Sequence, residues 1–194
     1  MMRQIFADYD EQGIYVYQAF RTETVQAAVA KGTFGQGFSL DRMTWIKPSF
    51  GWMLYRSGYE TKHRQEAIAK IRLTHEGLRA ILRQSVETSQ NPQVYASADE
   101  WKQALDNSEV RHQWDPDRAL NGYKLDRRAI QIGISGATVR SYVNEWIIGI
   151  EDATDLAHAV HEVVIQRRPL PVVQEERLYT VDAELARRLG ISNE

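Results

Sequence analysis

Leu40–Gly58, LDRMTWIKPSFGWMLYRSG, is the stretch whose reading decides the fold. Its nineteen residues hold two of the chain's five Trp, a Tyr, a Phe, two Met, two Arg and a Lys, so broad π-faces lie beside fixed positive charge. Met43–Lys47 reads as a short strand. Pro48 suits the first turn of a helix and Gly58 the residue just past its end. Phe50, Met53 and Leu54 fall at i, i+3 and i+4 on one face of that helix. A strand feeding a helix N-terminus presents free backbone N–H groups that can hold an anion, and Arg42 and Lys47 flank that point. The ordinary reading, in which the rings are core and the charges solvated surface, stands beside the reading of the cluster as a site.

Outward from this stretch, 194 residues suffice for one domain with a sizeable core. A net charge of −2 and a pI near 6.2 give no global argument for nucleic acid or an anionic membrane, so any such contact rests on a local patch. The chain has no cysteine, which excludes disulfides, thiolate nucleophiles and Cys-ligated metals. The N-terminal MMRQIFADYDEQG has no signal-peptide core, and no run approaches the roughly 18 apolar residues of a membrane helix. The expected location is cytoplasmic, without a membrane partner.

Gly13–Phe20, GIYVYQAF, reads as a buried strand. In the following RTETVQAAVAKG, Thr22 can cap a helix with Val25, Ala28 and Val29 on one face, and Gly32 can end it. Glu66–Leu73 alternates as a half-buried strand. Thr74 caps a helix with Leu78, Ile81, Leu82 and Val86 on its apolar side, and Ser97 with Glu100 forms a capping box before Trp101 and Leu105. Val110–Trp114 reads as a strand stopped by Asp115-Pro116, and Arg127–Ile134 as one closed by Gly136. Glu145–Ile150 reads as an apolar strand opening with an acid, followed by a helix carrying Leu156, Val160 and Val163. Segment 169–194 reads as an extended connector plus a short helix. Strands mixed irregularly with helices predict a single α+β domain spanning 1–194.

IYVYQAF, RMTWIKPSFGWMLYRSG, VRHQWDPDR, RAIQIGISG and VNEWIIGIED together resemble a family of unknown function, numbered 4291, over nearly the whole chain. The order of motifs also resembles the ADP-ribosyltransferase-like superfamily. There a His-Gly-Ser/Thr-type strand is followed by a helix and a Gly-ended loop, then a Tyr-bearing strand and a Ser-headed helix, and last a strand beginning Asn-Glu-Tyr. Here Tyr17-Gln18-Ala19, the helix to Gly32, Trp45 with Ser49, and Asn144-Glu145-Trp146 follow that order. Gln18 stands in place of His, Ala19 in place of Gly, and Trp45 in place of Tyr. The resemblance implies a split mixed sheet flanked by helices, with NAD as substrate and a nucleic-acid or protein acceptor for ADP-ribose.

On that resemblance the catalytic residues are Glu145 and Gln18. Cleaving the nicotinamide–ribose bond develops an oxocarbenium-like charge, which a fixed carboxylate stabilises in the transition state; that role falls to Glu145. Gln18 is expected to hydrogen-bond a ribose or the carboxamide. Trp45 and Tyr55 offer flat faces, Arg42 and Lys47 meet the pyrophosphate, and Ser49 orients a ribose hydroxyl. The second hypothesis is a nucleic-acid-binding or RNA-processing module without NAD chemistry. In it Arg42, Lys47, Arg56 and Arg111 track phosphates while Trp45, Trp52 and Trp114 stack bases, with Arg118 completing the second aromatic-plus-basic group. None of His63, His75, His112, His158 and His161 shows metal-ligand spacing, and no P-loop, dinucleotide fingerprint or G-x-S-x-G elbow is present.

Overall fold

The computed structural model describes residues 1–191. In chain order the strands and helices begin with β1 (Met2–Arg3), β2 (Phe6–Ala7), β3 (Ile14–Phe20), α1 (Thr22–Lys31), β4 (Thr44–Ile46) and α2 (Phe50–Ser57). Next come β5 (Ala67–Leu73), α3 (His75–Gln84), β6 (Val86–Glu87), α4 (Ala98–Asp106), β7 (Val110–Arg118) and β8 (Lys124–Ile134). The chain continues through α5 (Gly136–Ser141), a π-helical turn (Tyr142–Trp146), β9 (Ile147–Asp152), α6 (Thr154–Ile165), β10 (Arg177–Leu178) and α7 (Ala183–Leu189). This is a single α+β domain.

Two sheets meet at one point. β3, β5 and β9 form an antiparallel sheet in that order, and β8 pairs with β7, β4 and β1, with β6 beyond β7. Tyr17 and Lys47 exchange backbone hydrogen bonds of 2.7 and 3.1 Å, joining β3 to the end of β4. The result is a curled mixed sheet flanked by helices and split beside that bridge. Ile14 and Val16 pack into the larger core with Ala69, Ile71 and Leu73; Tyr17 and Ile68 face the other way, onto Phe50, Met53 and Leu54 of α2 and Ala157 and Val160 of α6. Both faces of β5 are therefore covered, more fully than its alternation predicts.

The 40–58 stretch folds as its pattern predicts, with one refinement. Ser49, not Pro48, sets the helix start: its hydroxyl accepts from the Trp52 N–H at 3.2 Å, and Gly58 closes α2 at φ 63°. Elsewhere local signals are overridden. Thr22 is helical and Arg21 occupies the cap position, while Val29 is exposed. Val86 leaves α3 to pair beside β7. β7 runs through Asp115-Pro116, because Pro116 sits opposite Arg128 where the strand's other edge is free and no ladder N–H is needed. Gly136 opens a helix whose Ala137 and Thr138 N–H groups are bound by Glu109. The C-terminal segment is built into the fold: β10 pairs with β2, and Leu185 and Leu189 join the main core.

Candidate functional site

Beyond the Tyr17–Lys47 bridge, β3 and β4 diverge around a cavity of about 730 Å³. Gln18, Ala19 and Phe20 form one wall, Thr44 and Trp45 another, and Trp52, Met53 and Arg56 of α2 a third. Gln113, Asp115 and Gln131 of the β7–β8 pair line it as well, with His63, Arg64 and Gln65 at the loop after α2. Period-two alternation produces this lining: Arg111, Gln113 and Asp115 share one face of β7, while His112 and Trp114 enter the core. Asp115 accepts from Gln113 at 2.8 Å and from Gln131 at 2.7 Å, so two neutral amides fix both its oxygens without neutralising it. Trp45 lies over Gly133, where an added Cβ would come within 2.9 Å of the indole and 2.6 Å of Met43 Sδ.

Lys47 is the electrostatic anomaly of this cavity. Its side chain is buried, its ammonium meets only the Trp45 carbonyl at 3.4 Å, and it has no ion-pair partner among the described residues. Burial, seconded by the Arg56 charge and opposed by Asp115, pulls its pKa down to about 8. An ammonium kept in that condition is poised to meet an anion.

The cavity brings together Gln18, Arg42, Trp45 and Lys47. Gln18 is braced on both sides: its amide donates to Thr44 Oγ1 at 2.6 Å and accepts from the buried Tyr142 hydroxyl at 2.8 Å. Ser49 and Tyr55 lie outside the cavity lining. Ser49 is a buried cap that donates to Asp117 at 2.8 Å, and Asp117 in turn pairs with Arg127 at 2.7 Å. Tyr55 stacks on Trp52 and carries the Arg118 guanidinium 4.0 Å above its ring. The helix N-terminus behind Ser49 is already occupied, since Glu176 accepts from the Phe50 N–H at 2.6 Å, and burial pushes that carboxyl up to about 8.

Glu145 does not reach this cavity. It sits exposed in the π-helical turn, bound to the Ser141 hydroxyl at 3.0 Å, and the strand begins two residues later at Ile147. Ile147 pairs with Leu73 and so lies across from Ile14, whereas Gln18 aligns through Ala69 with Asp152 at the opposite end of the sheet. Strand spacing alone puts about 15 Å between those positions. The second aromatic-plus-basic group does not assemble either. Trp114 is core, its indole N–H bound to the Leu189 carbonyl at 2.9 Å, and Arg111 and Arg118 turn to the carbonyls of Leu105 and Gly122. Sequence reading passed over Asp115 by taking Asp-Pro as a strand stop; its i, i+2 relation to Gln113, opposite Gln131, was the available signal.

The loop that supplies His63 and Arg64 begins at Glu60, whose two buried oxygens have no hydrogen-bond partner; one of them lies 3.7 Å from His158 Nε2. Tyr59 and Glu60 both adopt positive φ, a conformation held here by the Tyr59 hydroxyl on Leu120 and its ring on His161. Burial pushes the Glu60 carboxyl up to about 7. The folded chain therefore keeps this proton where the unfolded chain has lost it, and stability falls as pH rises from about 4.5 to 7. Glu60→Gln is expected to flatten that slope by about 2 kcal/mol in denaturation curves measured at pH 5 and pH 8; an unchanged slope places the titration elsewhere.

Among the described residues no group of three or more His, Asp or Glu side chains is arranged to hold a metal, and no helix is long and apolar enough to cross a membrane. No curated protein matches the sequence. The family model described as a domain of unknown function, DUF4291, matches residues 4–179, and the chain belongs to that family.

Proposed function

We propose that the cavity binds NAD and that the protein transfers ADP-ribose from it, with Asp115 rather than Glu145 as the carboxylate facing the ribose. The observation that carries this reading is Asp115 itself, an acid fixed by Gln113 and Gln131 in a cavity whose lining among the described residues holds no other acid and includes Arg42, Lys47, Arg56 and Arg64. The cavity's volume lies within the usual range for small-molecule sites. Lys47 and Arg56 meet the pyrophosphate, Arg42 stands at its side, and Trp45 offers the nicotinamide a face. Gln18, whose second amide hydrogen has no acceptor among the described residues, can donate to a ribose oxygen.

In the reaction the nicotinamide leaves with the bonding electron pair, and positive charge develops on the ribose. Asp115 lowers the energy of that charge, which is absent from the ground state. A nucleophile on the acceptor forms the new bond to the ribose carbon and gives up its proton to solvent. The split of the sheet at Tyr17–Lys47, with the cavity opening beside it, supports the resemblance to ADP-ribosyltransferases.

Isothermal titration with NAD and chromatographic assay of nicotinamide test the reading. Asp115→Asn is expected to lower nicotinamide release by about 100-fold or more while NAD affinity stays within threefold. Absence of NAD binding by the wild-type protein overturns the proposal, and equal release by the variant removes Asp115 from it.

A further inference from the structure

The cavity does not end at Arg42 and Arg64. A second hollow of about 480 Å³ shares Phe20, Arg42 and Arg64 with it and continues past Arg21, Thr24 and Gln36. Arg21, Arg42, Lys47, Arg56 and Arg64 line the two hollows, and none has an ion-pair partner among the described residues. Elsewhere in the fold Arg3, Arg72, Arg83, Arg127, Arg140 and Arg168 each reach a carboxylate, while others such as Arg111 and Arg118 turn to carbonyls; what distinguishes these five is that they line one continuous pair of hollows. Among the described residues the only acids lining the hollows are Asp115, tied to its glutamines, and Glu23. A pyrophosphate carries two charges, so it leaves cations over.

We propose that the two joined hollows form a groove for single-stranded nucleic acid, which lies across Arg21, Arg42 and Arg64 and presents its reacting nucleotide at the cavity mouth. This names the acceptor class and rests on the reading of the cavity as the NAD site. Repeated phosphates suit cations spread along a path better than one compact anion does. Phe20, which lines both hollows, stands among those cations and offers ring surface on which a base can stack irrespective of sequence. A single strand is required because a base held in a duplex keeps its reactive edge within the stack. An acidic peptide would satisfy the charges but leave that ring without a partner.

The experiment is fluorescence anisotropy with a labelled oligo-dT and an oligo-U of the same length, run beside NAD thermal shift on the same samples. Arg21→Glu with Gln36→Glu alters only the second hollow, and both side chains are exposed, so folding is preserved. The double variant is expected to bind the oligonucleotides at least tenfold more weakly with its NAD shift unchanged. Wild-type affinity is expected to fall about 10- to 50-fold between 50 and 200 mM salt, as three or four phosphate contacts require. No wild-type binding at low salt, equal affinity in the variant, or equal displacement by polyglutamate overturns the groove. Loss of the NAD shift with oligonucleotide binding intact overturns the NAD reading instead.

Discussion

Lys47→Met is expected to raise the melting temperature by roughly 5 °C or more and to abolish stabilisation by NAD. A buried ammonium with one carbonyl contact is a net cost to folding. In the folded chain its pKa is about 8, against 10.5 in the unfolded chain, so below pH 8 the charge destabilises the fold by about 3 kcal/mol. That cost shrinks as pH rises and is gone by about pH 10.5. Wild-type stability should therefore climb between pH 8 and 10.5, and the Met variant, which fits a similar volume without charge, should lack the climb. For a chain of this length each kcal/mol corresponds to roughly 2–4 °C. Differential scanning calorimetry at pH 7 and pH 10, with and without NAD, checks both halves. A variant that melts below wild type at pH 7, or that keeps the NAD shift, shows that the ammonium is not held for a ligand. Under the proposed reading of the cavity, that charge is a trade of stability for binding.

Gly51→Ala should cost about 3 kcal/mol or more. A Cβ at Gly51 would stand 2.1 Å from the Arg118 carbonyl oxygen and 3.1 Å from its carbon, and both are backbone atoms that cannot rotate away. Alanine is the better helix former by about 1 kcal/mol. Overlap with a fixed main chain outweighs that gain. The expected consequence reaches the cavity, because α2 must lift from the β7–β8 hairpin and carry Trp52, Met53 and Arg56 with it. Gly149→Ala, where nothing lies within 4 Å of the added carbon, is the matched control and should stay near wild type. Denaturant midpoints of the two variants decide it: equal midpoints mean that α2 does not rest on the hairpin.

Much of the site's frame was readable from residue patterns. Phe50, Met53 and Leu54 repeat at helical spacing and are buried together, and Ser49 and Gly58 bound their helix by short-range backbone chemistry. Ile130, Ile132 and Ile134 alternate and share the core. Trp114 and Glu145 show where such reading stops. An indole and an acid look the same in a sequence whether they face solvent, a core or a cleft. Trp114 went inward because the even-numbered face of β7 enters the main core, where its indole N–H reaches the Leu189 carbonyl, and Glu145 went outward because a π-helical turn replaces the start of a strand.

Local order, from the strand at Ile14–Phe20 to the capped helix at Phe50–Ser57, follows from neighbours a few residues apart, so the amino-acid sequence determined it. The α+β class followed from the same short-range periods, as did membership of the DUF4291 family from motifs spread along residues 4–179. Tertiary structure alone decided which acid shares a cavity with the amide and the ring. Gln18, Trp45 and Asp115 come from three strands whose pairing depends on the Tyr17–Lys47 bridge and on the Gln113–Gln131 register. Contacts of that range are set by how sheets close and cores fill, which no local pattern encodes.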